Sequence, residues 1–219
     1  MSTQTTAVSA PPEERIVGFK PEAGVGIPLA VGTFGFSVLM LGIPNSGLIT
    51  ADAVGVFAAV AFGTGAFGLL IGGLMELRAN NVFGGSFALF YSAFLLTTAL
   101  MLRFLAVEMA PAAFAAAFGT WLLLWCVFTF MLSWAAWYIN MPAFLAFVLL
   151  AVGYLFFGLA NFVGSPASQA LSTAGGWVLI ADGVAACYLA WGLAVNPVVG
   201  GKVPLWPHPY ARSPASARP

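Results

Sequence analysis

Charge is what this sequence has least of. Of 219 residues, seven are basic and seven acidic, so charged side chains make up 6% of the chain. An ordinary soluble domain carries roughly 25%, because its surface must stay wetted. So few charges cannot coat a water-soluble globule of this length, and the formal net charge of zero leaves no basic face for a nucleic-acid partner. Histidine occurs once, as His208 in a Pro-rich C-terminal stretch. That removes His-based metal clusters and buried imidazole bases. Cysteine occurs twice, and Cys126 and Cys187 both lie inside apolar runs, where they read as small buried hydrophobes rather than metal ligands. Nucleophile elbows, zinc-protease helices and phosphate-loop lysines are missing as well. No enzyme, catalytic residue, cofactor or metal is expected. Residues 1–24 have no apolar h-region and carry Glu13, Glu14 and Glu22, so they are expected to be a disordered cytoplasmic arm rather than a secretory signal.

What is abundant is apolar surface, at 61% of residues. A membrane-spanning helix needs roughly 20 mostly apolar residues, and six stretches supply them. The first runs from about Gly26 to Ile43, before Pro44-Asn45-Ser46-Gly47. The second runs from about Ala53 to Met75 and ends at Glu76-Leu77-Arg78, and the third from about Gly84 to Leu102, closing at Arg103. The fourth lies within Ala115 to Tyr138, after Pro111; the fifth follows Asn140-Met141-Pro142 to about Phe162. The sixth runs from about Gly176 to Val195, ending at Asn196-Pro197. The sequence predicts an all-α polytopic membrane protein, with one six-helix domain over residues 25–197 and a cytoplasmic Pro-rich tail over residues 198–219. Basic residues orient it. With both termini inside, Arg15, Lys20, Arg78, Lys202, Arg212 and Arg218 face the cytoplasm and only Arg103 faces out. The expected topology is N-in, C-in.

Glycines Gly63, Gly65, Gly68, Gly72 and Gly73 crowd the second span, where small residues permit close helix approach, within one protomer or between protomers. Trp121, Trp125, Trp134, Trp137 and Tyr138 on the fourth span include expected interfacial anchors. One acid lies deep in a span, Asp182, about six residues into the sixth. An ionised carboxylate in hydrocarbon costs several kcal/mol, so such a residue is a functional candidate that lines a wet vestibule, stays protonated or ties two helices together. Glu76, at a helix end beside Arg78, reads as a local ion pair or interfacial charge. No basic residue sits in mid-span, so an anion would depend on donors such as Asn45, Asn81, Asn161, Ser86, Thr33 and Tyr91, or travel with a proton.

Several blocks taken together resemble the acetate uptake transporter family, whose best-known members are succinate–acetate permeases. They are Glu76-Leu77-Arg78-Ala79-Asn80-Asn81-Val82-Phe83-Gly84, Phe90-Tyr91-Ser92, Trp125-Cys126-Val127-Phe128-Thr129 and Asn161-Phe162-Val163-Gly164. Gly176-Trp177, Gly183, Tyr188 and Asn196 follow in the last helix. The resemblance implies a six-helix protomer around a central pathway, assembled as a hexamer in a plasma or inner membrane. It implies a solute that is acetate or another small carboxylate, sometimes succinate, often moved with protons. It also implies a hydrophobic constriction at Phe34, Tyr91 and Leu150. Of the donors named above, Asn45, Asn161 and Thr33 are expected at a substrate-binding outer vestibule. Two departures stand out. The family's N-terminal Asn-Pro-x-Pro-Leu-Gly-Leu appears as Val25-Gly26-Ile27-Pro28-Leu29-Ala30-Val31, and Asp182 occupies a position expected to be uncharged in relatives. Asp182 is accordingly the candidate for proton coupling. Ammonia or ammonium transport and a non-transporting membrane scaffold are the alternatives.

Overall fold

The computed structural model describes residues 24–207. Most of the arm expected over residues 1–24, and the tail after residue 207 with His208, lie outside the described residues. So do Arg15, Lys20, Arg212 and Arg218.

Six helices are long and apolar enough to cross a membrane: α1 (Ile27–Asn45), α2 (Ala51–Arg78), α3 (Val82–Glu108), α4 (Pro111–Trp137), α5 (Met141–Ala160) and α6 (Ala167–Val199). Their starts follow from local chemistry. Proline stands in the first turn of α1, α4 and α5, where its missing N–H costs no intrahelical bond. Asn81 caps α3 by accepting from the Gly84 amide at 3.0 Å, and Asn140 caps α5 by accepting from the Ala143 amide at 2.9 Å. The spans are not uniform. Ala61–Ala66 in α2 and Met101–Leu105 in α3 are π-helical turns.

Three boundaries differ from expectation. The third span does not close at Arg103 but runs on to Glu108. The sixth helix starts at Ala167, not near Gly176, because the small and polar residues before Gly176 lower hydropathy without breaking a helix. Asp182 therefore sits near the middle of a 33-residue helix rather than close to its start. Asn196-Pro197 also fails to end that helix. Proline removes one hydrogen bond, but the helix stops only where Gly200 turns left-handed at φ 70°. Beyond it the chain folds back. The Asn196 side chain both donates to the Val203 carbonyl at 2.9 Å and accepts its amide at 2.8 Å, and Tyr188 donates to the Pro204 carbonyl at 2.7 Å.

Close helix contact rests on glycine. A Cβ at Gly35 would lie 2.8 Å from Cys187 Sγ, and one at Gly42 would lie 2.8 Å from the Gly176 carbonyl, so α1 and α6 touch nearly backbone to backbone. In the second span, Gly68 faces Thr33 and Gly72 faces Gly26 and Ala30, which puts that Gly-rich stripe to use within the protomer. Trp121 and Trp125 turn inward, whereas Trp134 is 74% exposed.

Candidate functional site: two cavities and the constriction between them

Two cavities lie inside the helix bundle, one toward each end. The cavity at the end holding both termini has a volume of about 240 Å³ and reaches Gly24, Asn81 and Asn140. The opposite cavity, of about 470 Å³, reaches Asn45, Arg103 and Asn161. Both are lined by the same helix faces. On α1, Ile27, Val31 and Phe34 line the terminal cavity, and Val38, Leu41 and Asn45 line the opposite one. On α3 the sequence runs Phe83, Phe87, Tyr91 and then Phe94, Thr98, Leu102. On α5 it runs Ala143, Phe147, Leu150 and then Tyr154, Phe157, Asn161. Steps of three and four residues keep one stripe of each helix on a common line. Leu150 lines both cavities and marks where they meet.

At that level the core is aromatic. Phe34 and Tyr91 meet edge to face with centroids 5.5 Å apart, and Tyr91 lies 5.5 Å from Trp125 and 6.0 Å from Phe147. Phe94 stands 4.8 Å from Trp125 and 5.0 Å from Tyr154. Phe34, Tyr91 and Leu150 are all buried. The Tyr91 hydroxyl is 2.7 Å from the Thr129 hydroxyl of α4, which fixes the ring's position. Rings and one aliphatic side chain at a narrow point exclude water, while hydroxyls beside them offer a polar solute partial compensation.

Asp182 stands at the same level. On α6, Ala186 lines the terminal cavity and Leu179 the opposite one, and Asp182 falls between them at helical spacing. It is fully buried, and neither carboxyl oxygen has a hydrogen-bond partner among the described residues. Buried polar groups are almost always paired, so an orphaned acid in the middle of a span calls for a functional explanation.

The remaining expected site residues separate. Asn45 and Asn161 both line the cavity opposite the termini, and each donates one side-chain N–H to its own helix, to Leu41 at 2.8 Å and Phe157 at 2.7 Å. Thr33 lines neither cavity. Its hydroxyl donates to the Leu29 carbonyl at 2.8 Å, and the side chain fills the space above Gly68. Glu76 differs from expectation. It is fully buried, and its carboxyl oxygens accept from the Gly24 amide at 2.7 Å, the Gly26 amide at 2.6 Å and the Asn81 amide side chain at 2.6 Å, while Arg78 stays exposed. Two unpaired helix-start N–H groups and an Asn are a better match for a buried acid than a flexible surface arginine. Thr129, Tyr154 and Arg103 complete the site, although sequence reasoning gave them no role. Tyr154 was within reach, being four residues beyond Leu150 on the same stripe.

The model of the GPR1/FUN34/yaaH family matches residues 17–199. The chain belongs to that family. The succinate-acetate/proton symporter SatP of Escherichia coli (strain K12) is 29% identical over 177 residues, covering 80% of this chain and 91% of the symporter. Ammonia transport outward protein 2 of Saccharomyces cerevisiae is 28% identical over 169 residues, 75% of this chain and 57% of the yeast protein. The solved structure of the bacterial acetate channel SatP superimposes with a TM-score of 0.73 at 27% identity, covering 82% of this chain and 97% of the channel. The expected six-helix fold and the resemblance to acetate uptake transporters are both borne out, and the chain is an integral membrane protein.

Proposed function

We propose that this protein carries small carboxylates of the acetate class across the membrane together with protons, and that it is a transporter rather than an enzyme. This reading is supported by two cavities that share Leu150, with Phe34 and Tyr91 on the terminal side of it and Asp182, without a hydrogen-bond partner among the described residues, at the same level. A carboxylate is an anion near neutral pH, and stripping its water in a constriction without a fixed positive charge costs several kcal/mol. Passing as the neutral acid removes most of that cost. Asp182 is the side chain in position to hand over a proton there and to take one up again afterwards. Asn45 and Asn161 are the first polar contacts in the cavity opposite the termini. The excess of basic residues on the side of the termini supports a cytoplasmic position for both in this reading, and the similarity to SatP supports a homo-oligomer, a hexamer in this reading.

Ammonium movement is the second reading. A lone acid at the narrow point suits a cation, and a relative is named for ammonia export. The deciding experiment is radiolabelled acetate uptake into proteoliposomes, with and without an inward proton gradient. Gradient-stimulated uptake that Phe34→Ala and Asp182→Asn both alter supports the carboxylate reading. No uptake above empty liposomes by folded protein ends it and makes ammonium the next solute to measure.

A further inference from the structure

We infer that Arg103 is the anion-capturing residue of the cavity opposite the termini, and that it holds the carboxylate of an entering solute before the constriction. The inference rests on the carboxylate reading above and adds a binding residue to it.

Among the described residues, Arg103 is the only charged side chain lining either cavity, and no described acid lines the cavity it faces. It makes no ion pair with any described acid. Its guanidinium lies 5.7 Å from the Phe104 ring centre, which leaves its N–H donors uncommitted. Arg103 lies within a π-helical turn near the end of α3. An uninterrupted α-helix carrying Thr98 and Leu102 on the cavity line would next present position 105 or 106. The π-helical turn Met101–Leu105 takes up an extra residue, and the lining positions become Thr98, Leu102, Arg103 and Val107. Arg103 follows Leu102 directly and sits at the rim of that stripe, and the π-helical turn brings Val107, five residues after Leu102, onto the same line.

Asn45 and Asn161 supply the other half of the subsite. Each amide has two N–H groups and spends one on its own helix, leaving the second for a ligand. A guanidinium and two amides, all donors, match a carboxylate. The cavity volume of about 470 Å³ admits acetate with its water, so capture there precedes dehydration. The chain then presents a carboxylate with a positive charge at the mouth and a proton-bearing group at the neck.

The test is acetate binding to the purified, detergent-solubilised protein by saturation-transfer NMR, with acetamide as the neutral isostere, for wild type, Arg103→Lys and Arg103→Gln. An exposed charge pair is worth up to about 1 kcal/mol, so Arg103→Gln is expected to weaken acetate binding about fivefold. Arg103→Lys should keep most of the affinity, and acetamide binding should not change. Raising the salt concentration should weaken wild-type acetate binding and leave the Arg103→Gln variant nearly unaffected. Equal acetate affinity in wild type and Arg103→Gln overturns the inference, and so does a wild type that binds no acetate. Proteoliposome uptake separates the two claims. Uptake with Arg103-independent binding removes the capture site and keeps the transport reading. Arg103-dependent binding without uptake keeps the capture site and removes the transport reading.

Discussion

Glu76, near the end of α2, accepts the backbone N–H of Gly26, at the start of α1, at 2.6 Å across fifty residues of sequence. The same carboxyl takes the Gly24 amide and the Asn81 side chain, and Gly24 and Asn81 both line the terminal cavity. One buried side chain thus ties the entry of the first span to the turn opening the third. Glu76→Ala leaves three donors without an acceptor, two of them backbone amides. Each orphaned donor costs about 1–3 kcal/mol, so a loss of at least about 2 kcal/mol is expected. Glu76→Gln keeps one acceptor oxygen and should fall between the two. Thermal unfolding in detergent, followed by tryptophan fluorescence, checks the order. A Glu76→Ala protein as stable as wild type would mean these bonds do not hold the mouth together.

The hydroxyls of Tyr91 and Thr129 couple α3 to α4 at the constriction through a 2.7 Å hydrogen bond. Tyr91→Phe and Thr129→Val should each destabilise the protein by about 1 kcal/mol, and the double variant by much less than the sum. The coupling energy from the cycle is the measurement. Strict additivity would show that the two hydroxyls do not act as a pair.

Phe34 lies edge-on to Tyr91 and is 8% exposed, and under the proposed function its replacement affects both packing and passage. Phe34→Ala should lower stability by about 3 kcal/mol, the lower end for a buried Phe, because one face already borders a cavity. It should also raise uptake of four-carbon carboxylates relative to acetate in proteoliposomes. An unchanged ratio of butyrate to acetate uptake would place the selective narrowing elsewhere.

The six spans were legible because lipid imposes one requirement on every residue of a spanning helix, and apolar runs of about 20 residues state it directly. Helix ends were less so. Ala167 to Gly175 read as loop because they are small and polar, yet nothing in them opposes a helix that continues past the apolar slab. The grouping of Phe34, Tyr91 and Leu150 was suggested only by family resemblance, since aromatic and aliphatic side chains at helical spacing look the same in a dry core. Glu76 shows a different limit. Its partners are backbone amides, which carry no residue identity, whereas Arg78 two positions away offered an obvious and wrong one. Val107 on the cavity line was hidden by geometry: a π-turn shifts which residues share a face, and no side chain announces it.

Asp182 supplies the prediction that best separates function from structure. An acid that holds helices together loses stability when it is removed. Here both oxygens are buried without a partner, so the acid is a burden on the fold. Asp182→Ala should therefore unfold at a temperature equal to or above wild type, with a gain of up to about 1 kcal/mol after the small cavity is counted. The same substitution should abolish the stimulation of acetate uptake by an inward proton gradient. Asp182→Asn keeps the shape but cannot exchange a proton, and should share that loss. A variant that is less stable yet still coupled would identify Asp182 as a structural acid. A variant that is as stable as wild type and uncoupled would leave proton transfer as the reason a buried, unpaired carboxyl persists in this helix.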